Sequence, residues 1–288
     1  MDRYCVMGNP VAHSRSPWIH ARFAQLTGQT LDYGRREVAP GVFAQAVADF
    51  RREAQEAGDR AGGCNVTVPC KFDAAALAGE RLSARARLAG AVNTLRFDED
   101  GHVHGDNTDG AGLVADIVRH AGRALAGARV LLIGAGGAAA GVMGPLIDAA
   151  PSRLVVANRT AAKAEALVAQ HAHLARGTDC ELQAAGLDGL GDARFDIVVN
   201  GTASSLAGDG VPVPARVLAE GALAVDMMYG PAAAGFIGWA QAHGAIGRDG
   251  LGMLVEQAAE AFAVWRGVRP DAAPVLAELR ALVDAKPA

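Results

Sequence analysis

The sequence predicts an α/β protein of two domains, one of which contains a dinucleotide-binding βαβ unit. Its 288 residues leave room for about two domains of ordinary size. Short aliphatic runs, typical of buried strands, alternate along the chain with stretches of helical periodicity. A strand, a glycine-rich turn, a helix and a second strand follow one another over 128–160, a span of about 30 residues that suits a βαβ unit.

The composition supports a globular core and excludes several partners. Hydrophobic residues make up 51% of the chain and charged residues 20%, and the formal net charge is −4. That charge gives no electrostatic reason to expect binding to nucleic acid or to an anionic membrane. The four cysteines form no C-x-x-C pair, no apolar run reaches transmembrane length, and the first residues do not resemble a signal peptide. We therefore expect a cytoplasmic protein with reduced thiols.

The first predicted elements are a strand over 3–7 and a helix over 18–26, separated by the break 8–10 and two serines. Ser14 and Ser16 flank one residue, so in an extended loop their hydroxyls point the same way. Capping of the helix is the simple interpretation. One cap needs only one serine, however, so recognition of hydroxyls or of a carboxylate stays an open alternative.

The next predicted elements are a strand over 31–38, an amphipathic helix over 40–57 and a further strand that ends in a Pro-x-Lys sequence. Asn65 and Thr67 alternate with valines and so face one side of this strand. Open α/β sheets bind ligands at the carboxyl ends of their strands. Lys71 follows at that end, although a lone lysine in such a position is more often a solvated surface residue.

A predicted hairpin and a polar segment complete the first half of the chain. Residues 90–97 and 102–105 form the hairpin; the two histidines of its second strand share a face, but the sequence places no third ligand, and we predict no metal site. The segment 105–110 reads Gly-Asp-Asn-Thr-Asp-Gly and precedes a helix. Asn107 or Asp109 could cap that helix, or the polar run could line a ligand site.

The glycine-rich turn of the βαβ unit follows the strand 129–133. Gly134 allows a sharp turn, and Gly136 lets the backbone approach a pyrophosphate closely. The free N–H groups at the start of the next helix favour the phosphate charge. The alternative is a structural turn without a ligand. The residues of the predicted cofactor site in this turn are Gly134, Ala135, Gly136, Gly137 and Ala138.

The end of the second strand, 153–157, predicts the kind of cofactor. Asn158, Arg159 and Thr160 follow it, Lys163 comes one helical turn later, and no acid lies between them. An NAD site usually presents an acid to the ribose here, whereas an NADP site presents Arg to the 2′-phosphate. Cations at the positive end of a helix dipole favour a bound anion. We predict NADP, with solvated side chains and NAD as the alternatives.

Two further strands are predicted over 195–199 and 223–227, with a Gly/Pro/Ala-rich loop over 206–215 between them. A long helix begins at Gly250 and ends near residue 266, and a last helix covers about 273–283. The chain contains no internal repeats.

Separated segments of the chain resemble the shikimate dehydrogenases. They lie in the family's order from residue 8 to residue 257, so that the resemblance covers nearly the whole chain. These segments are Gly8-Asn9-Pro10 with Ser14-x-Ser16-Pro17, Asn65-x-Thr67-x-Pro69-x-Lys71, Gly90–Thr94, Gly105–Gly110, Gly134–Ala138, Asn158–Thr160 and Gly250–Val255 with Gln257.

The resemblance implies reversible NADPH-dependent reduction of 3-dehydroshikimate to shikimate, a step towards aromatic amino acids. It implies a small-molecule substrate, no nucleic-acid or membrane partner, and a monomer or homodimer. It also implies a substrate-binding α/β domain over 1–108, an NADP-binding Rossmann domain over 109–249, and C-terminal helices over 250–288 that return to the first domain. The substrate would bind in the cleft between the two domains.

The family's site residues match positions of this chain one by one. The resemblance implies that Lys71 and Asp109 form the catalytic pair. Nicotinamide would contact Met227 and Gly250. The substrate-binding positions that it implies are Ser14, Ser16, Asn65, Thr67, Asn93, Asp109, Tyr229 and Gln257.

Three departures from the family pattern are visible. Gly201 and Ala203 stand in a segment where the family usually has Asn-Ala-Thr-Ser, so we assign no cofactor contact there. Ala84 replaces a frequent acid and Cys70 a frequent Phe.

The implied mechanism follows from charge. A free lysine has a pKa of about 10.4, so Lys71 is normally charged and can protonate the alkoxide that a hydride leaves. Oxidation of shikimate needs a neutral lysine and is expected to be faster at high pH. The rival hypotheses are an NAD-using quinate/shikimate dehydrogenase, a paralogue acting on an aminoshikimate, and an NADP-sensing protein without activity.

Overall fold

The computed structural model describes residues 1–202 and 210–285, which form two compact units with separate hydrophobic cores. The first unit comprises Met1–Asp109 with Val255–Leu279, and the second comprises Gly110–Leu254 with the described residues from Arg280 onward. Within the described ranges, no helix is both long and apolar enough to cross a bilayer. Ala203 and the start of the predicted loop 206–215 lie outside the described residues.

The first unit is built on a mixed five-stranded sheet with the order β2-β1-β3-β4-β5. β1 pairs in parallel with β2 and β3, whereas β4 pairs antiparallel with β3 and β5, so the predicted hairpin is confirmed. The strands are β1 (Asp2–Gly8), β2 (Asp32–Glu37), β3 (Arg60–Val66), β4 (Thr94–Phe97) and β5 (Val103–Asp106). The helices are α1 (Ser16–Leu26), α2 (Phe43–Glu56), α3 (Lys71–Ala78) and α4 (Ala84–Ala89).

Helix α2 illustrates how the sequence pattern builds the core of this unit. Phe43, Val47, Phe50 and Ala54 are its buried residues, at the spacing of one helix face. Each of the three larger side chains contributes about 1.5–3 kcal/mol on full burial. The polar residues between them face solvent, so this helix covers one side of the sheet.

The second unit contains a six-stranded parallel sheet with the order β8-β7-β6-β9-β10-β11. The order reverses between β6 and β9, where a doubly wound sheet binds its ligand at the carboxyl ends of the strands. The strands are β6 (Arg129–Ile133), β7 (Arg153–Asn158), β8 (Glu181–Gly186), β9 (Phe195–Asn200), β10 (Leu218–Asp226) and β11 (Ile246–Arg248).

The remaining helices follow β5 along the chain and are divided between the two units. They are α5 (Asp109–Ala115), which a π-helical turn (Asp116–His120) extends, α6 (Gly137–Asp148), α7 (Ala161–Ala175), α8 (Ala234–Ala242), α9 (Leu251–Arg266) and α10 (Ala272–Asp284). Most of α9 and α10 belongs to the first unit. The predicted fold class, an α/β substrate domain plus a Rossmann-type domain with C-terminal helices returning to the first, is confirmed.

Three elements of the second unit were not predicted from the sequence. β8 has the sequence Glu-Leu-Gln-Ala-Ala-Gly, which is poor in the β-branched residues that indicate strands, and β11 has three residues. Both lie at edges of the sheet, where pairing on one side suffices. Helix α8 contains two glycines, which lower helix propensity and hide its pattern.

Candidate active site

A lysine and an aspartate from different elements meet in the first unit. Lys71 Nζ lies 2.5 Å from Asp109 Oδ2, and the side chains are 16% and 5% exposed. Lys71 is the first residue of α3 and Asp109 the first residue of α5, so each side chain is placed by the start of a helix. The ammonium can donate a proton, and the carboxylate beside it holds that charge in place.

The segment before α5 leaves the Asp109 carboxylate free for this pairing. Asn107 Oδ1 accepts the Asp109 backbone N–H at 3.1 Å, and Asn107 Nδ2 donates to the Ala91 carbonyl at 3.0 Å. Asn107 therefore fills the capping role at this helix start.

Asp106, in the same segment, accepts hydrogen bonds from Nε and Nη2 of Arg85. Burial raises the pKa of Asp106, but the hydrogen bonds and the charge of Arg85 hold that pKa below the usual carboxyl range.

Asn93 connects Asp109 to Gln257. The backbone N–H of Thr108 donates to Asn93 Oδ1 at 2.9 Å, and a backbone N–H can only donate, so this contact fixes the orientation of the amide. Asn93 Nδ2 then donates to Asp109 Oδ1 at 2.8 Å and to Gln257 Oε1 at 2.8 Å. The Nε2 group of Gln257 can consequently serve as a donor to a ligand.

Ser14 and Ser16 form a pair of neighbouring hydroxyls. Ser14 Oγ donates to Ser16 Oγ at 3.2 Å and accepts the Ser16 backbone N–H at 3.3 Å. Arg15 occupies the N-cap position of α1 without a side-chain bond, so Ser14, which accepts the N–H of the first helical residue, fills the capping role there. Arg35 donates to the Ser14 carbonyl at 2.6 Å and 3.1 Å, which brings a positive charge to this pair. Two hydroxyls beside a guanidinium suit a carboxylate ligand.

The side-chain amide of Asn65 is fully hydrogen-bonded within the first unit, as is that of Asn93. Its Oδ1 lies within hydrogen-bonding distance of His20 and Tyr33, and its Nδ2 donates to the Asn93 carbonyl and the Thr94 hydroxyl. His20 and Tyr33 were not predicted as site residues, since a histidine in a helix and a tyrosine in a strand are ordinary in a protein core. Their tight packing against Asn65 is visible in the structure alone.

Thr67 and Tyr229 lie in different units. Thr67 directly follows β3 in the first unit, and its backbone N–H donates to the Met7 carbonyl at 2.9 Å. Tyr229 precedes the 3₁₀ turn Gly230–Ala233 in the second unit. The prediction that both contact substrate stays a prediction.

The glycine-rich turn of the second unit has the local geometry that a pyrophosphate requires. Gly134 has a φ of +110°, a conformation that favours glycine, and a Cβ there would lie 3.1 Å from Gly201. Gly136 precedes α6, and a Cβ on it would meet no described protein atom within 4 Å. That open space beside the N–H groups of a helix start fits a phosphate group. Ala135, Gly137 and Ala138 complete this turn.

Two cations and two polar side chains lie at the next helix start. Arg159 and Lys163 are exposed, and the first turn of α7 contains no acid. Asn158 Nδ2 donates to the Thr160 carbonyl at 3.0 Å, which holds the segment after β7 in one conformation. These residues could hold a phosphomonoester at the end of the second strand of the βαβ unit.

Met227 and Gly250 are neighbours in the second unit. The Gly250 backbone N–H donates to the Met228 carbonyl at 2.8 Å, and any Cβ on Gly250 would collide with the Met227 carbonyl. Asp249 accepts the backbone N–H groups of Gly230 and Leu251 and pairs with Arg280. This cluster fixes the backbone after β10 and β11, where a doubly wound sheet presents its ligand site.

Comparison with known proteins identifies the family. The model "Shikimate dehydrogenase substrate binding domain" matches residues 6–95, "Shikimate / quinate 5-dehydrogenase" matches residues 116–207, and "Shikimate 5'-dehydrogenase C-terminal domain" matches residues 250–280. A protein of Paracidovorax citrulli (strain AAC00-1) named "Shikimate dehydrogenase (NADP(+))" is 65% identical over 280 residues, which cover 97% of each chain. This chain belongs to the shikimate dehydrogenase family.

Solved structures support the family assignment. A shikimate 5-dehydrogenase from Thermus thermophilus in complex with shikimate is 32% identical, with a TM-score of 0.81 over 99% of this chain and 100% of that chain. A structure from the same source with NADP(H) and shikimate is 29% identical, with a TM-score of 0.79 over 98% and 99% of the chains. An Ael1 enzyme from Pseudomonas putida is 45% identical, with a TM-score of 0.86 over 97% and 98%. The shikimate dehydrogenase resemblance predicted from the sequence is confirmed.

Proposed function

We propose that this protein catalyses the reversible NADPH-dependent reduction of 3-dehydroshikimate to shikimate. The single observation that carries the proposal is the 2.5 Å contact between Lys71 Nζ and Asp109 Oδ2, because it supplies a proton donor and a charge partner in one place. The predicted activity and NADP cofactor agree with the relatives, which at 53–65% identity are named "Shikimate dehydrogenase (NADP(+))".

In this proposal the first unit binds the substrate. Ser14 and Ser16, with the Arg35 charge beside them, hold its carboxylate. Thr67, Asn93 and the Nε2 group of Gln257 contact its hydroxyls, and Tyr229 of the second unit contributes a further contact. The hydrogen bond from Asn93 to Gln257 supports this role, since it directs the amide donors of Gln257 away from Asn93.

NADPH, when bound, supplies the hydride. Lys71 gives a proton to the substrate oxygen as the carbonyl becomes a hydroxyl, and Asp109 accepts a hydrogen bond from that hydroxyl. In the opposite direction Lys71 must first lose its proton, so shikimate oxidation accelerates as the pH rises. Asn93 keeps Asp109 in place through its contact with Oδ1, which leaves Oδ2 for Lys71.

The second unit would bind the cofactor with three groups of residues. The turn Gly134–Ala138 holds the pyrophosphate against the start of α6. Arg159 and Lys163 hold the 2′-phosphate, with Asn158 and Thr160 as further donors. Met227 and Gly250 contact the nicotinamide ring. The open space at Gly136 and the exposed cations beside α7 are the observations that support this arrangement.

A spectrophotometric assay tests the proposal. The purified protein is given shikimate or quinate with NADP or NAD, and the absorbance of the reduced nicotinamide is followed. Rapid reduction of NADP with shikimate is the expected result. Faster turnover with quinate or with NAD would contradict the proposed substrate or cofactor, and cofactor binding without turnover would favour the NADP-sensing alternative.

The state of the cysteines bears on the compartment in which the enzyme works. The described structure leaves Cys5, Cys64, Cys70 and Cys180 as free, buried thiols, which suits a reducing compartment. We therefore place the enzyme in the cytoplasm; the family resemblance is the basis for proposing a monomer or homodimer. Size-exclusion chromatography with light scattering distinguishes the two assemblies.

A further inference from the structure

A directional chain of hydrogen bonds leads from two buried aromatic side chains to the carboxylate of Asp109. It begins at His20, which is fully buried, and Tyr33, which is 9% exposed. Their rings stack with centroids 4.5 Å apart and planes inclined by 7°. His20 Nε2 lies 3.2 Å from Asn65 Oδ1, and the Tyr33 hydroxyl donates to the same oxygen at 2.6 Å.

Both aromatic groups stay neutral and act as donors. Burial lowers the pKa of His20 to about 3, and burial raises the pKa of Tyr33 well above its ordinary value. Asn65 Nδ2 faces the Asn93 backbone carbonyl at 3.4 Å, and because a carbonyl can only accept, Asn65 Oδ1 must face the aromatic pair. His20 therefore carries its single ring proton on Nε2.

The chain continues from Asn65 in one direction. Asn65 Nδ2 donates to Thr94 Oγ1 at 3.2 Å, and this hydroxyl donates in turn to Asn93 Oδ1 at 2.9 Å. Thr94 is fully buried and Asn93 is 2% exposed, so water cannot easily replace either contact. With its oxygen held by Thr94 and Thr108, Asn93 directs its amino group to Asp109 Oδ1.

We propose that His20 and Tyr33 are positioning residues: they hold Asn65 and, through the Thr94 hydroxyl, reinforce the orientation that the Thr108 N–H gives to Asn93 and so to Asp109. Neither residue is among the predicted substrate or cofactor contacts, although Tyr33 also interacts with Ser16, and the inference rests on the proposed function of the Lys71–Asp109 pair. Asn65, which the resemblance places among the substrate contacts, also serves as a link in this chain.

Removal of the Tyr33 hydroxyl tests the first link. Tyr33→Phe keeps the ring stack but leaves Asn65 Oδ1 with one donor instead of two. We expect kcat/KM for shikimate to fall by about 3- to 10-fold, the effect of one hydrogen bond, while KM for NADP and the thermal midpoint change little.

Tyr4→Phe is the matched control for this experiment. Tyr4 is buried in the same aromatic cluster as Tyr33, with its ring 4.7 Å from Trp265, but its hydroxyl faces Arg266 instead of Asn65. We expect this control to keep the wild-type kcat/KM. Equal kinetic losses in the two variants, or a loss of thermal stability in Tyr33→Phe without a kinetic change, would overturn the positioning role.

Thr94 provides a second, independent test. Thr94→Val preserves shape but removes the hydroxyl, so it should reduce kcat/KM for shikimate by about 10-fold, whereas Thr94→Ser should restore most of it. Two substitutions that break one chain should not add their effects, so Tyr33→Phe with Thr94→Val should resemble Thr94→Val alone. Additive losses, or a serine variant as impaired as the valine variant, would refute a connected chain.

A measurement on the ligand-free protein separates this inference from the proposed function. We expect the side-chain amide NMR signal of Asn93 to shift or broaden in Tyr33→Phe and to stay in place in Tyr4→Phe. An inactive wild-type protein that shows this pattern would refute the function but keep the chain. If the wild-type protein is active but the Asn93 signal is unchanged in Tyr33→Phe, the chain is refuted and the function is kept.

Discussion

The candidate substrate site and the candidate cofactor site are built in opposite ways. In the first unit, Asn93, Thr108 and Asp109 are at most 4% exposed, and their polar atoms are joined by hydrogen bonds to one another. In the second unit, Arg159 and Lys163 are exposed, and the turn at Gly136 offers backbone groups and empty space. The first site is set by side chains before a ligand arrives, whereas the second leaves charge and space for the ligand to fill.

The largest expected effect breaks the first site at its centre. Lys71→Ala removes the proton donor, so kcat should fall by ~10²–10⁴, the usual contribution of a general acid–base group, while NADPH affinity persists. Lys163→Ala is the control, since the same substitution in the second unit should raise KM for NADPH and leave kcat almost unchanged. Steady-state kinetics of both variants measure the difference, and a near-normal kcat for Lys71→Ala would remove this residue from catalysis.

The next largest effect is expected from removing an exposed cation of the second site. Arg159→Ala should weaken NADPH binding by ~1.5–3 kcal/mol, the range for a hydrogen bond to a charged group, and leave NADH binding unchanged. The 2′-phosphate is what distinguishes the two cofactors. Fluorescence titration with each cofactor provides the comparison. Equal losses for NADPH and NADH would place Arg159 elsewhere on the cofactor.

Two glycines of the second unit separate the requirements of the ligand from those of the fold. Gly136→Ala places a methyl group in open space, so stability should persist while NADP binding weakens by about 1–3 kcal/mol through crowding of the phosphate. Gly250→Ala forces a methyl group against the Met227 carbonyl, so the free energy of unfolding should itself fall by about 1–3 kcal/mol. Denaturant unfolding and cofactor titration of both variants test this. A destabilised Gly136→Ala would contradict the open space inferred at Gly136.

The smallest expected effect is on the free energy of unfolding at acidic pH. Burial raises the pKa of Asp249, but the hydrogen bonds and charge of Arg280 outweigh it, and the pKa lies below the usual value. A lowered carboxyl pKa stabilises the fold above the unfolded value of about 3.9 and loses that contribution as the pH falls towards the folded value. Arg280→Gln should therefore reduce the free energy of unfolding at neutral pH by about 1 kcal/mol, given partial exposure of Arg280, and much less near pH ~3.

Arg22→Gln serves as the control for the acid experiment. Arg22 also donates twice to a carboxylate, that of Glu278, but this pair is on the surface of the first unit. Urea unfolding across the acid range should show a smaller change for this variant than for Arg280→Gln. A gap between Arg280→Gln and the wild type that widens on acidification would contradict the sign of the Asp249 shift.

Local patterns predicted the second unit well. The strands expected over 129–133 and 153–157 are observed as Arg129–Ile133 and Arg153–Asn158, because buried parallel strands are continuous aliphatic runs and glycines mark the turn. The first site was less accessible to such reasoning. Lys71 and Asp109 are 38 residues apart, and the resemblance, not their spacing, suggested that they meet.

The supporting residues of the first site could not be predicted from the sequence. His20 and Tyr33 occupy positions where apolar side chains would fit the pattern equally well, and their importance lies in which atom of Asn65 they face. Such contacts depend on tertiary packing, which neither periodicity nor composition encodes.

The placement of Asp109 constrains how this enzyme could be recombined with its relatives. Asp109 is the last residue of the first unit's long segment, Gly110 opens the second unit, and Gln257 lies in the segment that returns to the first. A chimaera intended to exchange cofactor preference should therefore take the second unit from Gly110 to Leu254. A junction a few residues earlier would import a foreign carboxylate to face Lys71, and a single junction without a return at residue 255 would replace the helix that carries Gln257.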